Sequence, residues 1–265
     1  MRAYALKTLA DEYGFDPDAN VLSIARDGDQ VVVRFIQDGA ETSERFDYLL
    51  AATGRRPNVD RLGLENTSLP LSPKGQPLFD RMTCQIGDSQ VFIAGDANPD
   101  CPLLHEAADE GRIAGENAGR FPDVREGRRR ARLAVVFSDP QIAIAGSGYA
   151  ELKAADASFA IGEASFEDQG RARVTGKNKG LLRVYAAHGS GEFLGAEMIA
   201  PHAEHLAHLL AWARQSGRTV EDMLSSPFYH PVIEEGLRTA LRVLLRNLRQ
   251  GPEPVKRCMD CGPGA

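Results

Sequence analysis

The segment Phe228-Tyr229-His230-Pro231-Val232-Ile233-Glu234-Glu235 sets an imidazole five residues ahead of a carboxylate. Proline suits the first position of a helix, where its missing N–H costs nothing and its φ is already helical. The spacing therefore predicts a helix opening at Pro231, with His230 as its N-cap and Glu235 a little over one turn in. A back-folded Glu235 would accept a hydrogen bond from the ring, fix its tautomer and stabilise its charged form, which is how a general base is built. The competing reading is structural: a capping histidine, and a glutamate that answers the helix macrodipole.

A second chemical element is Val91-Phe92-Ile93-Ala94-Gly95-Asp96, followed by Leu103-Leu104-His105-Glu106-Ala107-Ala108-Asp109-Glu110-Gly111. The apolar run is too short for a helix and is bounded by turn formers, so it predicts a buried parallel strand with Asp96 at its carboxyl end. Ala107, Ala108, Gly111, Ala114, Gly115 and Ala118 then form a ladder of small residues at helical spacing, suited to close approach of another backbone. Crevices outside strand carboxyl ends bind ligands in α/β sheets, and a helix N-terminus beside one favours negative charge.

Three motifs, Ala52-Thr53-Gly54-Arg55-Arg56-Pro57-Asn58, Gly95-Asp96 with its helix, and His230-Pro231 with Glu235, occur in this order. On them the chain, from about Gln30 to about Leu248, resembles the C-terminal part of the pyridine nucleotide-disulfide oxidoreductases, closest to the dihydrolipoamide dehydrogenases. The resemblance implies an FAD site to which this stretch contributes in part, through Thr53, Gly54, Gly95, Asp96, His105, Ala107 and Ala108. Within it, Asp96 would bind the ribityl chain and the helix around His105 to Ala108 would point its N-terminus at the flavin ring. His230 and Glu235 would serve thiol-disulfide exchange on a dithiol or disulfide substrate such as lipoamide, completing the partner subunit's site in a homodimer. NAD would be the final acceptor.

That family also carries an N-terminal FAD fingerprint, a redox-active Cys-x4-Cys and a glycine fingerprint for NAD, and none occurs in this sequence. Gly189-Ser190-Gly191-Glu192-Phe193-Leu194-Gly195 is one residue too long and leads into a strand-like run, so it reads as a hairpin turn. A different class of reading is therefore open, in which the chain is a non-catalytic dimerisation module or a fragment. Glutathione, thioredoxin and mercuric reductases are alternative relatives with other disulfide substrates.

Composition bounds these readings. Hydrophobic residues at 43% and charged residues at 26% are near globular averages, so a sizeable core can form. A net charge of −6 argues against a nucleic-acid surface. Arg128-Arg129-Arg130, inside a basic stretch at 125–132, reads as a solvated linker. The start, Met1-Arg2-Ala3-Tyr4, lacks the apolar core of a secretory signal and no run approaches a membrane span, so the default expectation is cytoplasmic.

The fold class expected is α/β, with remnants of nucleotide-binding domains followed by an antiparallel sheet plus helices of the α+β type. Residues 1–54 would end an NAD domain, with strand signals at 31–35 and 46–52 around the turn-like Gln37-Asp38-Gly39. Residues 55–125 would return to an FAD domain, 130–250 would form the interface domain, and 251–265 a flexible tail. Interface strands are expected at 133–137, 159–166, 181–187 and 193–200. A final helix carries Ile233, Leu237, Leu241, Leu244, Leu245 and Leu248 on one stripe, with Arg238, Arg242, Arg246 and Arg249 elsewhere.

No metal site is expected. His202, His205 and His208 repeat every three residues in a predicted helix, where the outer two point well apart. Cys84 and Cys101 read as free thiols, one on each side of the Gly95-Asp96 element. Cys258-Met259-Asp260-Cys261 has the spacing of a redox pair or half a zinc site, but it follows Gly251-Pro252-Glu253-Pro254 and reads as tail.

Overall fold

The computed structural model describes residues 1–251, so the expectations for Cys258 and Cys261 fall outside the described residues. Contacts divide the chain into two compact units, one of Leu9–Arg129 and one that joins Met1–Thr8 to the chain from Arg130 onward.

After the opening helix α1 (Arg2–Ala10), the first unit begins with an antiparallel meander of β1 (Asn20–Asp27), β2 (Gln30–Gln37) and β3 (Ala40–Phe46), in that spatial order. Asp38 (φ 52°) and Gly39 (φ 79°) both adopt positive φ between the paired residues Gln37 and Ala40. That is the two-residue turn whose twist matches the flanking strands. The second expected strand is displaced: β3 ends at Phe46 and residues 47–52 form none. Tyr48 and Leu50 are 92% and 88% exposed, because among the described residues no neighbouring strand stands beside them to take up their backbone groups.

The parallel strand expected at Val91–Ile93 is likewise absent. Its backbone forms an antiparallel bridge, with Gln85 opposite Phe92, the Ile86 N–H on the Val91 carbonyl at 3.0 Å and the Ile93 N–H on the Cys84 carbonyl at 2.9 Å. A parallel ladder needs a second strand alongside. The first unit supplies a tight reversal instead, followed by a single 3-10 turn at Gly95–Ala97 and helix α2 (Leu104–Arg120). Ile113 and Ala114 of α2 pack with Cys84 into a small buried cluster.

The second unit is built on a five-stranded antiparallel sheet of order β4-β5-β8-β7-β6, from β4 (Leu133–Val136), β5 (Gln141–Gly146), β6 (Phe159–Ser165), β7 (Leu181–Ala187) and β8 (Phe193–Ala200). Four of these strands lie where the sequence pattern puts them. The fifth, β5, has alanines at 143 and 145 in place of β-branched residues and is held in register by pairing with β4 and β8. Gly189 and Gly191 take positive φ in the turn joining β7 to β8, the hairpin expected there.

The helices are α3 (Tyr149–Ala154), α4 (Gly170–Val174), α5 (Ala203–Gln215), α6 (Val220–Ser225) and α7 (Glu234–Gln250). α5 packs on β5 and β8, while α7 packs on β6 and β7. α7 buries Gly236, Leu237, Ala240, Leu241 and Leu244, the core of the stripe read from the sequence. Its approach to β6 depends on Gly162, where an added Cβ would lie 2.2 Å from the Ala240 carbonyl oxygen and 2.6 Å from Leu244 Cβ. Among the described residues no helix is long and apolar enough to cross a membrane.

Candidate functional site

His230 does not cap a helix. α7 starts at Glu234 with Ile233 as its N-cap, and the His230–Pro231 peptide, which is cis, lies in the bend before it. The reason is a competing cap: Glu235 folds back so that its Oε2 accepts the Val232 N–H at 3.2 Å. The other oxygen, Oε1, lies 2.9 Å from His230 Nδ1. Val232 is itself fixed, since its carbonyl accepts Gln169 Nε2 at 2.7 Å while Gln169 Oε1 caps α4. Thus the chain from Val232 is anchored to α4 and the pair is held on it.

The hydrogen bond from His230 first, and the Val232 N–H and the Arg238 charge besides, hold the Glu235 carboxyl below its ordinary range. An ionised carboxylate only accepts, so the neutral imidazole carries its proton on Nδ1 and presents the Nε2 lone pair. The ring is 80% exposed, whereas the Glu235 side chain is 28% exposed. This arrangement offers an oriented proton acceptor at the surface. Beside it runs a groove of about 490 Å³ whose walls include Trp212, Pro227, Phe228, Tyr229 and Leu237.

The second group of expected residues lies in the other unit. Gly95 has φ 68°, and a Cβ there would meet Ala107 Cβ at 3.1 Å, so the 3-10 turn and α2 approach as closely as their small residues permit. Asp96 is half exposed on a cleft of about 760 Å³ that also includes Arg55, Asn58, Lys74, Gln76 and Pro102. Arg55 Nη1 reaches Asp96 Oδ2 at 3.5 Å. Thr53 and Gly54 are exposed just ahead of this cleft and do not line it. His105 and Ala108 are exposed in the first turns of α2, Ala107 is half-buried against Gly95, and the N-cap Leu103 provides no side-chain acceptor. The first N–H groups of a 17-residue helix are therefore uncapped. A carboxylate that accepts hydroxyl protons, an open cleft and an uncapped helix N-terminus fit one part of a flavin site.

Two residues important to this unit carried no role in the sequence reading. Glu110 is fully buried on α2, and its Oε2 accepts the Gly95 N–H at 2.7 Å and Asn98 Nδ2 at 2.8 Å. Arg129 corrects the solvated reading of the arginine run. Its side chain is 11% exposed, with Nη1 3.0 Å from Glu110 and Nη2 2.8 Å from Glu106. Glu106 and Glu110, two carboxylates one turn apart on the buried face of α2, need a countercharge, but their spacing does not say which arginine supplies it.

The three histidines divide otherwise than expected. His202 precedes α5 with φ 53°, its ring stacks on that of His205, and those two cluster with Glu204. His208 alone is turned away, with Nδ1 2.7 Å from the Glu204 carbonyl oxygen and its ring edge-on to Trp212. Cys84 is buried, and that burial first, with the nearby Glu110 charge, pushes its thiol up to about 11.

Residues 3–111 match the family model described as pyridine nucleotide-disulphide oxidoreductase, and residues 133–241 match the dimerisation domain of the same proteins. The chain is 34% identical to a dihydrolipoyl dehydrogenase of Haloferax volcanii over 77% of its own length and 42% of that protein's. To the dihydrolipoyl dehydrogenase of Geobacillus stearothermophilus it is 32% identical, over 82% of this chain and 46% of the relative. It thus spans somewhat under half the length of these curated relatives. The crystal structure of LpdA from Mycobacterium tuberculosis superposes with a TM-score of 0.74 at 25% identity, covering 89% of this chain and 50% of LpdA. With both family models matched in sequence order and a similar fold in a solved structure over most of its length, this chain belongs to the pyridine nucleotide-disulphide oxidoreductase family.

Proposed function

We propose that the chain serves a dihydrolipoamide dehydrogenase-like oxidation of a dithiol, with His230 as the general base and Glu235 as the residue that orients it. The observation that carries this reading is the 2.9 Å contact between His230 Nδ1 and Glu235 Oε1, combined with an exposed ring. Thiolate, and not thiol, is the nucleophile in exchange with a disulfide. His230 Nε2 takes the proton of the incoming dithiol, and Glu235 stabilises the imidazolium that results. The aromatic groove beside the ring suits an apolar acyl chain such as that of lipoamide, with Tyr229 and Phe228 on its wall.

In the other unit Asp96 would accept hydrogen bonds from the ribityl hydroxyls of FAD, and the uncapped start of α2 would favour electron density at the flavin. FAD and NAD, when bound, supply the onward two-electron transfer. The second unit would form the interface of a homodimer, which a doubled mass by light scattering at micromolar concentration would support and a single mass would oppose.

The deciding experiment uses the assembly that this chain forms in its host, assayed for dihydrolipoamide oxidation. His230→Ala should reduce turnover on the order of 10²- to 10⁴-fold, the range for a positioned general base. Glu235→Gln should cost less, since the base remains. Turnover that survives His230→Ala unchanged would remove His230 from the reaction.

A further inference from the structure

At the start of α5, His202, Glu204 and His205 each offer one ligand atom, and these atoms all lie within 4.8 Å of one another. The cluster is not a consequence of helical spacing, because His202 sits outside the helix in a left-handed conformation that returns its ring over that of His205, centroids 6.1 Å apart. The carboxylate between them is poorly satisfied. Glu204 Oε1 is 3.6 Å from His205 Nε2, and Oε2 is buried with no hydrogen-bond partner. A buried carboxylate oxygen without a partner calls for an explanation, and a bound cation is one of the few that fits.

We propose that His202, Glu204 and His205 form a three-ligand site for a divalent transition metal of the zinc class. The donor set suits the assignment: two imidazoles and one carboxylate bind such ions, and three protein ligands leave a fourth position for water or a ligand. The reach suits it too. Tetrahedral zinc with bonds of about 2.1 Å places its ligand atoms roughly 3.4 Å apart. Small side-chain rotations close that gap, and both rings are exposed and free to make them.

The scaffold beneath is rigid. Ala203 and Leu206 are fully buried, the Glu204 N–H is held by Gln141 Oε1 at 3.1 Å, and the His205 N–H returns to the His202 carbonyl at 3.1 Å. A cation here meets the positive end of the α5 dipole, which the Glu204 carboxylate offsets. His208 takes no part, its Nδ1 being engaged by the Glu204 carbonyl oxygen.

Zinc titration by calorimetry tests the site, in the full chain carrying Cys258→Ser and Cys261→Ser so that those thiols cannot contribute. The expected result is one equivalent of zinc bound with micromolar affinity. His202→Gly and His205→Ala should each weaken it at least about tenfold, the scale on which even outer-shell losses act. Glycine is chosen at 202 because it tolerates the positive φ. Cobalt in place of zinc should give the visible absorption of a four-coordinate site, lost in the same variants. His230→Ala and His208→Ala should leave binding intact. No zinc binding, or binding that survives the His202→Gly/His205→Ala double variant, or binding abolished by His230→Ala alone, overturns the proposal.

Discussion

Glu110 accepts the backbone N–H of Gly95 at 2.7 Å, so a buried carboxylate on α2 holds the turn that presents Asp96. The same oxygen takes Asn98 Nδ2, and the other is paired with Arg129, so two chain segments, the Gly95–Asn98 turn and the one carrying Arg129, converge on one side chain of α2. Buried pairs of this kind add little net stability over an apolar replacement, but they are costly to break from one side.

Glu110→Ala should therefore destabilise the protein by about 3–5 kcal/mol, because Arg129 would remain buried with less of its countercharge. Urea unfolding followed by circular dichroism measures this. A loss of a few tenths would mean that Glu106 and Asp100, also near Arg129, suffice for its charge.

Gly162→Ala tests the contact of α7 with β6. The new Cβ would lie 2.2 Å from a carbonyl oxygen of α7, and backbone yields less readily than a side-chain tip. Overpacking typically costs about 1–3 kcal/mol. A lower Tm is expected, and since α7 carries Glu235, proton acceptance by His230 should suffer as well. An unchanged Tm would show that the helix can shift off the sheet at no cost.

Acid stability should register Glu235. Its folded-state carboxyl lies below the ordinary value of about 4.3, so the stabilisation is fully present above that pH and is lost as pH falls through the lower folded-state value. Glu235→Gln should be less stable than the parent at neutral pH, with the difference shrinking to nothing in strong acid. Denaturant midpoints at several pH values read the gap. A difference independent of pH would place the effect in packing rather than charge.

Thiol chemistry should distinguish the cysteines. With its thiol pushed up to about 11 by burial, Cys84 should resist iodoacetamide at pH 8 in the folded protein and react after unfolding, while the partly exposed Cys101 reacts in both states. Mass spectrometry of digested, labelled protein assigns the sites. Rapid native labelling of Cys84 would contradict the packing around Ile113.

The sequence by itself determined the elements whose signals are local. The apolar stripe of α7 and the Gly189–Gly191 hairpin follow from periodicity and turn chemistry, each confined to a few successive residues. So does the nearness of His230 to Glu235, which five residues of chain enforce. Tertiary structure decided whatever depends on a partner from elsewhere in the chain. Residues 47–52 have strand composition, but a strand exists only when a neighbour takes its N–H and C=O groups, and none does so here among the described residues; Val91–Ile93 finds only a short antiparallel reversal against residues 84–86. β5, weak in composition, exists because β4 and β8 flank it. Arg129 could not be told from its neighbours in the arginine run until the fold brought Glu106 and Glu110 to it, 23 and 19 residues away. Glu235 shows both limits together: its reach to His230 was legible, but its capture of the Val232 N–H, which moved the helix start past His230, was settled by a hydrogen-bond competition that residue spacing does not encode.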